Sequence, residues 1–105
     1  MLLQGQAAVV TGGGSGLGAA TAAMLAAAGA KVAVLDINGD AARASAARIG
    51  GLGVACDVAD AAAAEAALAE VRAAHGIERV RVNCAGAGTA GRIVGRDGAQ
   101  RLEAV

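Results

Sequence analysis

The sequence predicts an α/β fold, a doubly wound parallel sheet with strand order 3-2-1-4, truncated after the fourth strand. Three observations predict it. Short β-branched runs alternate with alanine-rich segments of roughly ten to sixteen residues, the pattern of right-handed βαβ units. Proline is absent, so glycine alone punctuates the chain. Five of the seven residues from Gly12 to Gly18 are glycine, and they stand where the first strand should give way to the first helix.

Gln6–Gly12 reads as a short buried strand entering a turn. Gly16–Gly29 reads as a helix with Gly29 at its C-terminal end. Lys31–Asp36 (KVAVLD) is a second, β-branched strand. Asn38–Gly51 supplies a polar cap, a helix with Arg43 and Arg48 exposed, and a glycine stop. Leu52–Val58 is a third strand. Asp60–Gly76 is a helix with Asp60 as N-cap, Glu65 and Glu70 along it, and Arg72 and His75 near its C-terminus, a charge order that suits the helix macrodipole. Arg79–Gly86 is a fourth, buried strand and turn. The remainder is glycine-rich, and a helix is expected to begin at Asp97.

Composition bounds the function. A chain of 105 residues is one domain at most. At that size it buries roughly 60–68% of its unfolded surface, so its stability margin is thin. It has no Phe, Tyr or Trp, so the core must be Val, Leu, Ile, Met and much Ala. Nine basic and nine acidic residues balance, giving no electrostatic case for nucleic acid or an anionic membrane. The mild excess of arginine after residue 77 reads as a solvated face. No stretch approaches the ~20 apolar residues that span a bilayer, and the opening MLLQGQ has no export signal. Cys56 and Cys84 lack metal-ligand spacing, and a reduced, cytoplasmic setting is expected.

At a strand-to-helix junction, backbone N–H groups and the helix N-terminus point at whatever lies beyond the strand, and a phosphate fits there. Gly12 would make the tight turn, Gly16 would admit a pyrophosphate, and Gly18 would let the helix pack closely. A flexible linker could also carry such glycines, so other features must decide. A P-loop is excluded because Ala19 and Ala20 follow Gly18 where Lys and Ser or Thr would stand. Asp36 ends the second strand 18 positions past Gly18, close to the ~20 expected of the acid that holds an adenosine ribose. CDV ends the third strand and NCAG the fourth. In a 3-2-1-4 sheet these ends converge on the crevice between strands 1 and 4, with Asp36 and Asp57 on its adenosine side. Dinucleotide binding is the expected function. Asp36 accepts readily from two ribose hydroxyls but would meet a 2′-phosphate at about 4 Å, costing on the order of 4 kcal/mol at an effective dielectric of 20. No Arg or Lys follows it or sits in Gly12–Gly18, so NAD is expected rather than NADP.

These motifs resemble the short-chain dehydrogenase/reductase family, a Rossmann-type fold. The family's Thr-Gly-x-x-x-Gly-x-Gly stands as Thr11, Gly12, Gly16 and Gly18, and its Asn-Asn-Ala-Gly as Asn83 to Gly86. GGGSGLGAATA, VLDIN, CDV and VNCAG together most resemble its type-2 3-hydroxyacyl-CoA dehydrogenase branch. The resemblance covers nearly the whole chain and implies that residues 1–105 are an NAD-binding half-domain. It implies cofactor contacts from Ser15 and Leu17 to the pyrophosphate and nearby ribose, and from Asp36 to the adenosine ribose. It further implies Asp57 and the Val58 backbone at the adenine, and Asn83, Cys84, Ala85 and Gly86 along the cofactor.

The family's chemistry uses a Tyr acid/base, a nearby Lys, and a Ser that holds the substrate carbonyl. This sequence has no Tyr, and its one Lys, Lys31, opens the second strand, so no catalytic residue is assigned and no metal site is expected. The family's catalytic half is expected to lie beyond Val105, leaving these residues without turnover of their own. Two functions stay open: the cofactor-binding part of an NAD-dependent dehydrogenase acting on a secondary alcohol such as a 3-hydroxyacyl-CoA, or a non-catalytic NAD-binding module. A fourth strand with an open hydrophobic edge should promote a homo-oligomer. Cys56 and Cys84, three strand spacings or roughly 14 Å apart, cannot form a disulfide and read as buried apolar residues. His75 could serve as a base, but a helix C-terminus favours a structural, partly charged imidazole. Asp57 reads as a binding group before a catalytic one. Arg81 stands where a buried strand is normally apolar, and its charge must reach either the strand's solvent end or a partner.

Overall fold

A computed structural model describes residues 3–84, together with the short strands Asp97–Gly98 and Gln100–Arg101. The elements run β1 (Ala7–Thr11), α1 (Gly16–Ala27), β2 (Lys31–Asp36), α2 (Gly39–Ile49), β3 (Leu52–Ala55), α3 (Ala61–His75) and β4 (Glu78–Asn83). They form a four-stranded sheet in the order β3-β2-β1-β4, every pairing parallel. The predicted fold class and strand order are therefore the observed ones.

The absence of aromatic residues shapes the packing. β1 and β2 are buried on both faces, and Val9, Val10, Val32, Val34 and Leu35 are fully enclosed. Each such side chain contributes about 1.5–3 kcal/mol on leaving water. One layer sets α1 and α2 against Ala8, Val10, Val32 and Val34 through the small side chains of Ala22, Ala42 and Ala46. The other sets α3 against Val9, Ala33 and Leu35 through Ala67 and Val71. Alanines at the contacts bring the helices close to the sheet, so a core without large rings still closes.

The caps are local and legible. Asn38 Oδ1 accepts the Ala41 N–H at 3.0 Å, and Gly50 ends α2 in the left-handed region at φ +67°. Asp60 Oδ1 accepts from Ala62 and Ala63 at the start of α3. β3 ends at Ala55 and does not continue to Val58 as expected. Asp57 Oδ1 takes the Ala59 N–H at 3.0 Å and its carbonyl takes the Asp60 N–H at 3.0 Å, which turns the chain out of the sheet.

Three further expectations need correction. β4 is not a buried strand: half-buried positions alternate with the exposed Arg79, Arg81 and Asn83. Among the described residues its outward positions carry Arg79, Arg81 and Asn83 where a hydrophobic edge was expected. Where a helix was expected to begin, Asp97 and Gly98 instead pair antiparallel with Arg101 and Gln100 as β5 and β6. Asp-Gly is a turn signal and glycine weakens a helix. Finally, burial works against the dipole-stabilised charge expected at His75. Burial, with Lys31 adding repulsion, lowers its pKa below the usual histidine value, and its Nδ1 is buried without a hydrogen-bond partner.

Candidate functional site

The carboxyl ends of the four strands open into one cleft of about 700 Å³. Gly12 lines it, and Gly12 and the adjoining Gly13 both donate their N–H groups to the Leu35 carbonyl, at 2.7 and 3.3 Å. This ties the turn after β1 to the end of β2. Gly12 has φ +70°, and a Cβ there would drive into the Cys84 carbonyl oxygen at the end of β4. A Cβ on Gly18 would collide with the Gly12 carbonyl, so α1 can sit this close to the turn only with glycine at that position. At Gly16 the opposite holds: nothing lies within 4 Å of a Cβ position, and the space above the backbone is open.

Ser15 is the N-cap of α1, with φ −140° and ψ 157°, but its hydroxyl caps no N–H. The first turn of α1 holds no acidic residue, and the first intrahelical bond runs from the Ala19 N–H to the Ser15 carbonyl. The N–H groups of Gly16, Leu17 and Gly18 are thus left at the positive end of a helix dipole. Such an end takes an anion, phosphate above all.

Asp36 closes β2 beside this turn. Its Oδ2 accepts the Gly14 N–H at 2.9 Å and its Oδ1 accepts the Asn38 N–H at 2.9 Å. Each oxygen keeps a further lone pair, so the carboxylate is oriented by backbone yet still able to accept two hydroxyls. Across the sheet, the Thr11 hydroxyl donates to Asn83 Oδ1 at 2.8 Å, and the Cys84 N–H donates to the Thr11 carbonyl at 2.9 Å. Asp57 and Val58 follow β3 on the far wall.

Of the residues singled out from sequence, the cleft is lined by Gly12, Ser15, Asp36, Asp57, Val58, Asn83 and Cys84. Gly16, Leu17 and Gly18 stand beside it rather than in its wall, and the Leu17 side chain is exposed to solvent. Ala85 and Gly86 lie outside the described residues. Gly13 and Gly14 were missed. A Cβ on Gly13 would lie 2.7 Å from Val34 Cγ1, and one on Gly14 would lie 2.8 Å from Asp36 Oδ2. Their signal was present, since both belong to the run of five glycines.

The geometry fits a dinucleotide: an unfilled helix N-terminus over a glycine turn, with an acceptor-only carboxylate at the next strand end. The chain matches the short chain dehydrogenase family across residues 6–102. It belongs to that family. D-threitol dehydrogenase of Mycolicibacterium smegmatis is 47% identical over 89 residues, 80% of this chain and 34% of that protein. Two Brucella melitensis structures superpose on this chain. One, named a ribose-5-phosphate isomerase, does so with TM-score 0.75 at 46% identity over 81% of this chain and 33% of its own. The other, a 3-ketoacyl-(acyl-carrier-protein) reductase complexed with NADH, gives 0.73 at 34% identity over 75% and 34%. The chain thus spans about a third of the length of these relatives. Their names share no single substrate.

Neither cysteine in the cleft wall is an activated thiolate. Cys56 and Cys84 are free thiols. Burial raises the pKa of both, and Asp57 and Asp60 raise that of Cys56 further, so both stay protonated near neutrality. Arg81 finds its partner on its own strand: its Nη2 lies 3.1 Å from Glu78 Oε2. No group of His, Cys, Asp and Glu able to hold a metal ion occurs among the described residues. Nor is any helix among them long and apolar enough to cross a membrane.

Proposed function

We propose that this chain is the NAD-binding portion of an NAD-dependent oxidoreductase that moves a hydride between the cofactor and a secondary alcohol or ketone. The observation that carries the reading is the Asp36 carboxylate, fixed by the Gly14 and Asn38 N–H groups at the edge of the cleft. Arg81, the one cation in the cleft wall among the described residues, stands on β4, two strand spacings (roughly 10 Å) across the sheet from Asp36 and three residues short of it along the strand. Its guanidinium is bound to Glu78. A ribose with free hydroxyls suits Asp36; a 2′-phosphate would face it without compensation.

In this reading the Gly12–Gly18 turn and the free N–H groups of α1 receive the pyrophosphate, with the Ser15 hydroxyl beside them. Leu17 and the backbone of Gly16 cover the adjoining ribose. Asp57 and Val58 border the adenine, and Asn83, Cys84, Ala85 and Gly86 follow the cofactor toward the nicotinamide. When bound, the nicotinamide supplies the hydride acceptor or donor. The protein's part within these residues is to orient it and to exclude a phosphorylated ribose.

The finer substrate reading is a 3-hydroxyacyl-CoA, supported by the motifs GGGSGLGAATA and VNCAG. A neighbour named 3-ketoacyl-(acyl-carrier-protein) reductase lends support to a 3-oxygenated acyl substrate. The protein is expected to act in the cytoplasm as a homo-oligomer, and two free thiols suit a reducing compartment. A second reading is a binding module without turnover: the glycine turn and Asp36 form a binding site by themselves, and the chain spans about a third of its relatives' length.

Titration with NADH and NADPH tests the cofactor reading. With no Trp or Tyr in these residues, cofactor fluorescence is read free of protein emission. NADH binding at least tenfold tighter than NADPH supports it; equal affinity removes Asp36 as the discriminator. Oxidation of a 3-hydroxyacyl-CoA with NAD by the protein separates the dehydrogenase from the silent module. Sedimentation reads the oligomeric state.

A further inference from the structure

β4 does not pair with β1 in one continuous register. Ala7 stands opposite Glu78, but Ala8 stands opposite Val80, so Arg79 is an extra residue without a partner. The shift carries through the strand and brings Asn83 opposite Thr11 at the cleft. It also has a side-chain consequence. Residues three apart in a regular strand point to opposite faces. Here Glu78 and Arg81 stand opposite Ala7 and Val9, which are two apart, so both lie on the face that α3 covers. That is why Arg81 Nη2 can reach Glu78 Oε2 at 3.1 Å.

The same carboxylate is gripped from α3. Arg72 Nε and Nη2, in the last turn of that helix, each lie 2.9 Å from a Glu78 oxygen, a bidentate pair. The Glu78 side chain is only 8% exposed, while those of Arg72 and Arg81 are about half exposed at 46% and 51%. A bulge leaves backbone unpaired and can be lost by slippage. In the unshifted register Val82 would oppose Thr11, and Arg79 and Arg81 would turn into the core beside Ala8 and Val10.

We propose that Arg72, Glu78 and Arg81 form a register clamp, with Glu78 as a positioning residue for Asn83 and Cys84 at the cleft. Glu78 ties the residue before the extra one to α3, and Arg81 ties the strand after it to the same point. The bulge is thereby fixed at Arg79. The functional part of this inference rests on the cofactor reading above; the register part stands on the pairing alone.

The test uses amide hydrogen exchange together with NADH titration on the protein and its Glu78→Gln and Arg81→Met variants. The reporters are the Cys84 N–H, bonded to Thr11 of β1, and the amides of β2. In Glu78→Gln we expect Cys84 protection to fall about tenfold with β2 unchanged, and NADH affinity to weaken about tenfold. Arg81→Met removes one arm and leaves the Arg72 grip, so it folds where Glu78→Gln fails and shows the same pattern more weakly. Arg81→Lys should recover part of the Cys84 protection lost in Arg81→Met. Unchanged Cys84 protection overturns the clamp, as does an equal loss across β2 and β4, which marks general destabilisation. If the unaltered protein binds no NADH but Cys84 responds as described, the clamp stands and the cofactor reading fails.

Discussion

Gly14 donates its N–H to Asp36 Oδ2 at 2.9 Å, and a Cβ on Gly14 would lie 2.8 Å from that same oxygen. The glycine turn and the carboxylate are therefore one device. The turn does not merely leave room at the helix N-terminus; it also aims the carboxylate that the proposed reading sets against the ribose.

Gly14→Ala should break that device. The methyl would press on Asp36 and on Ala41 Cβ, also at 2.8 Å. We expect dinucleotide affinity to fall about tenfold, about 1.4 kcal/mol, read by calorimetric titration. A variant that binds as tightly as the parent would mean that Asp36 does not need this bond.

Asp36→Asn should change which cofactor is accepted. The amide removes a negative charge that would face a 2′-phosphate at about 4 Å, worth on the order of 4 kcal/mol at an effective dielectric of 20. NADPH affinity should rise relative to NADH by tenfold or more, with part of the NADH affinity lost. A ratio that stays where it was would place the discriminator elsewhere.

Gly18→Ala acts on the fold as much as on the site. The added methyl collides with the Gly12 carbonyl and would lie 2.7 Å from Gly13 Cα, both backbone and unable to rotate away. Overpacking of this kind costs about 1–3 kcal/mol. The melting temperature should drop, and the drop should persist without any cofactor.

Acid should unfold the protein in two limbs. His75 has a folded pKa lowered by burial, with Lys31 contributing. Protons therefore bind better to the unfolded chain, and stability falls as pH drops below about 6.5. Glu78 has a folded pKa lowered from 4.5 to about 2, chiefly by its bond from Arg72. Its contribution is complete above about pH 4.5 and is lost as pH falls toward 2. With both arginines half exposed we place it at about 1–2 kcal/mol. Thermal melts across pH 7 to 2.5 read both limbs. His75→Leu should flatten the first alone, and Glu78→Gln the second alone.

The sequence by itself determined the local structure of this protein. The alternation of Val-rich runs with alanine-rich segments set the element order, because burial and helix propensity act within a few residues. Gly12, Gly16 and Gly18 marked the turn, and Asp36 at the end of KVAVLD marked the acid, because both lie at strand ends that a parallel sheet must bring together. Tertiary structure alone decided how those pieces engage. That Gly14 holds Asp36, that Thr11 meets Asn83, and that Arg81 is neutralised by Glu78 and not stranded in a core all depend on register between strands. The extra residue at Arg79 reverses which face the β4 side chains from Val80 onward take, and no periodicity within β4 announces it. Thr11 and Asn83 stand 72 positions apart, so only the folded sheet could set their distance.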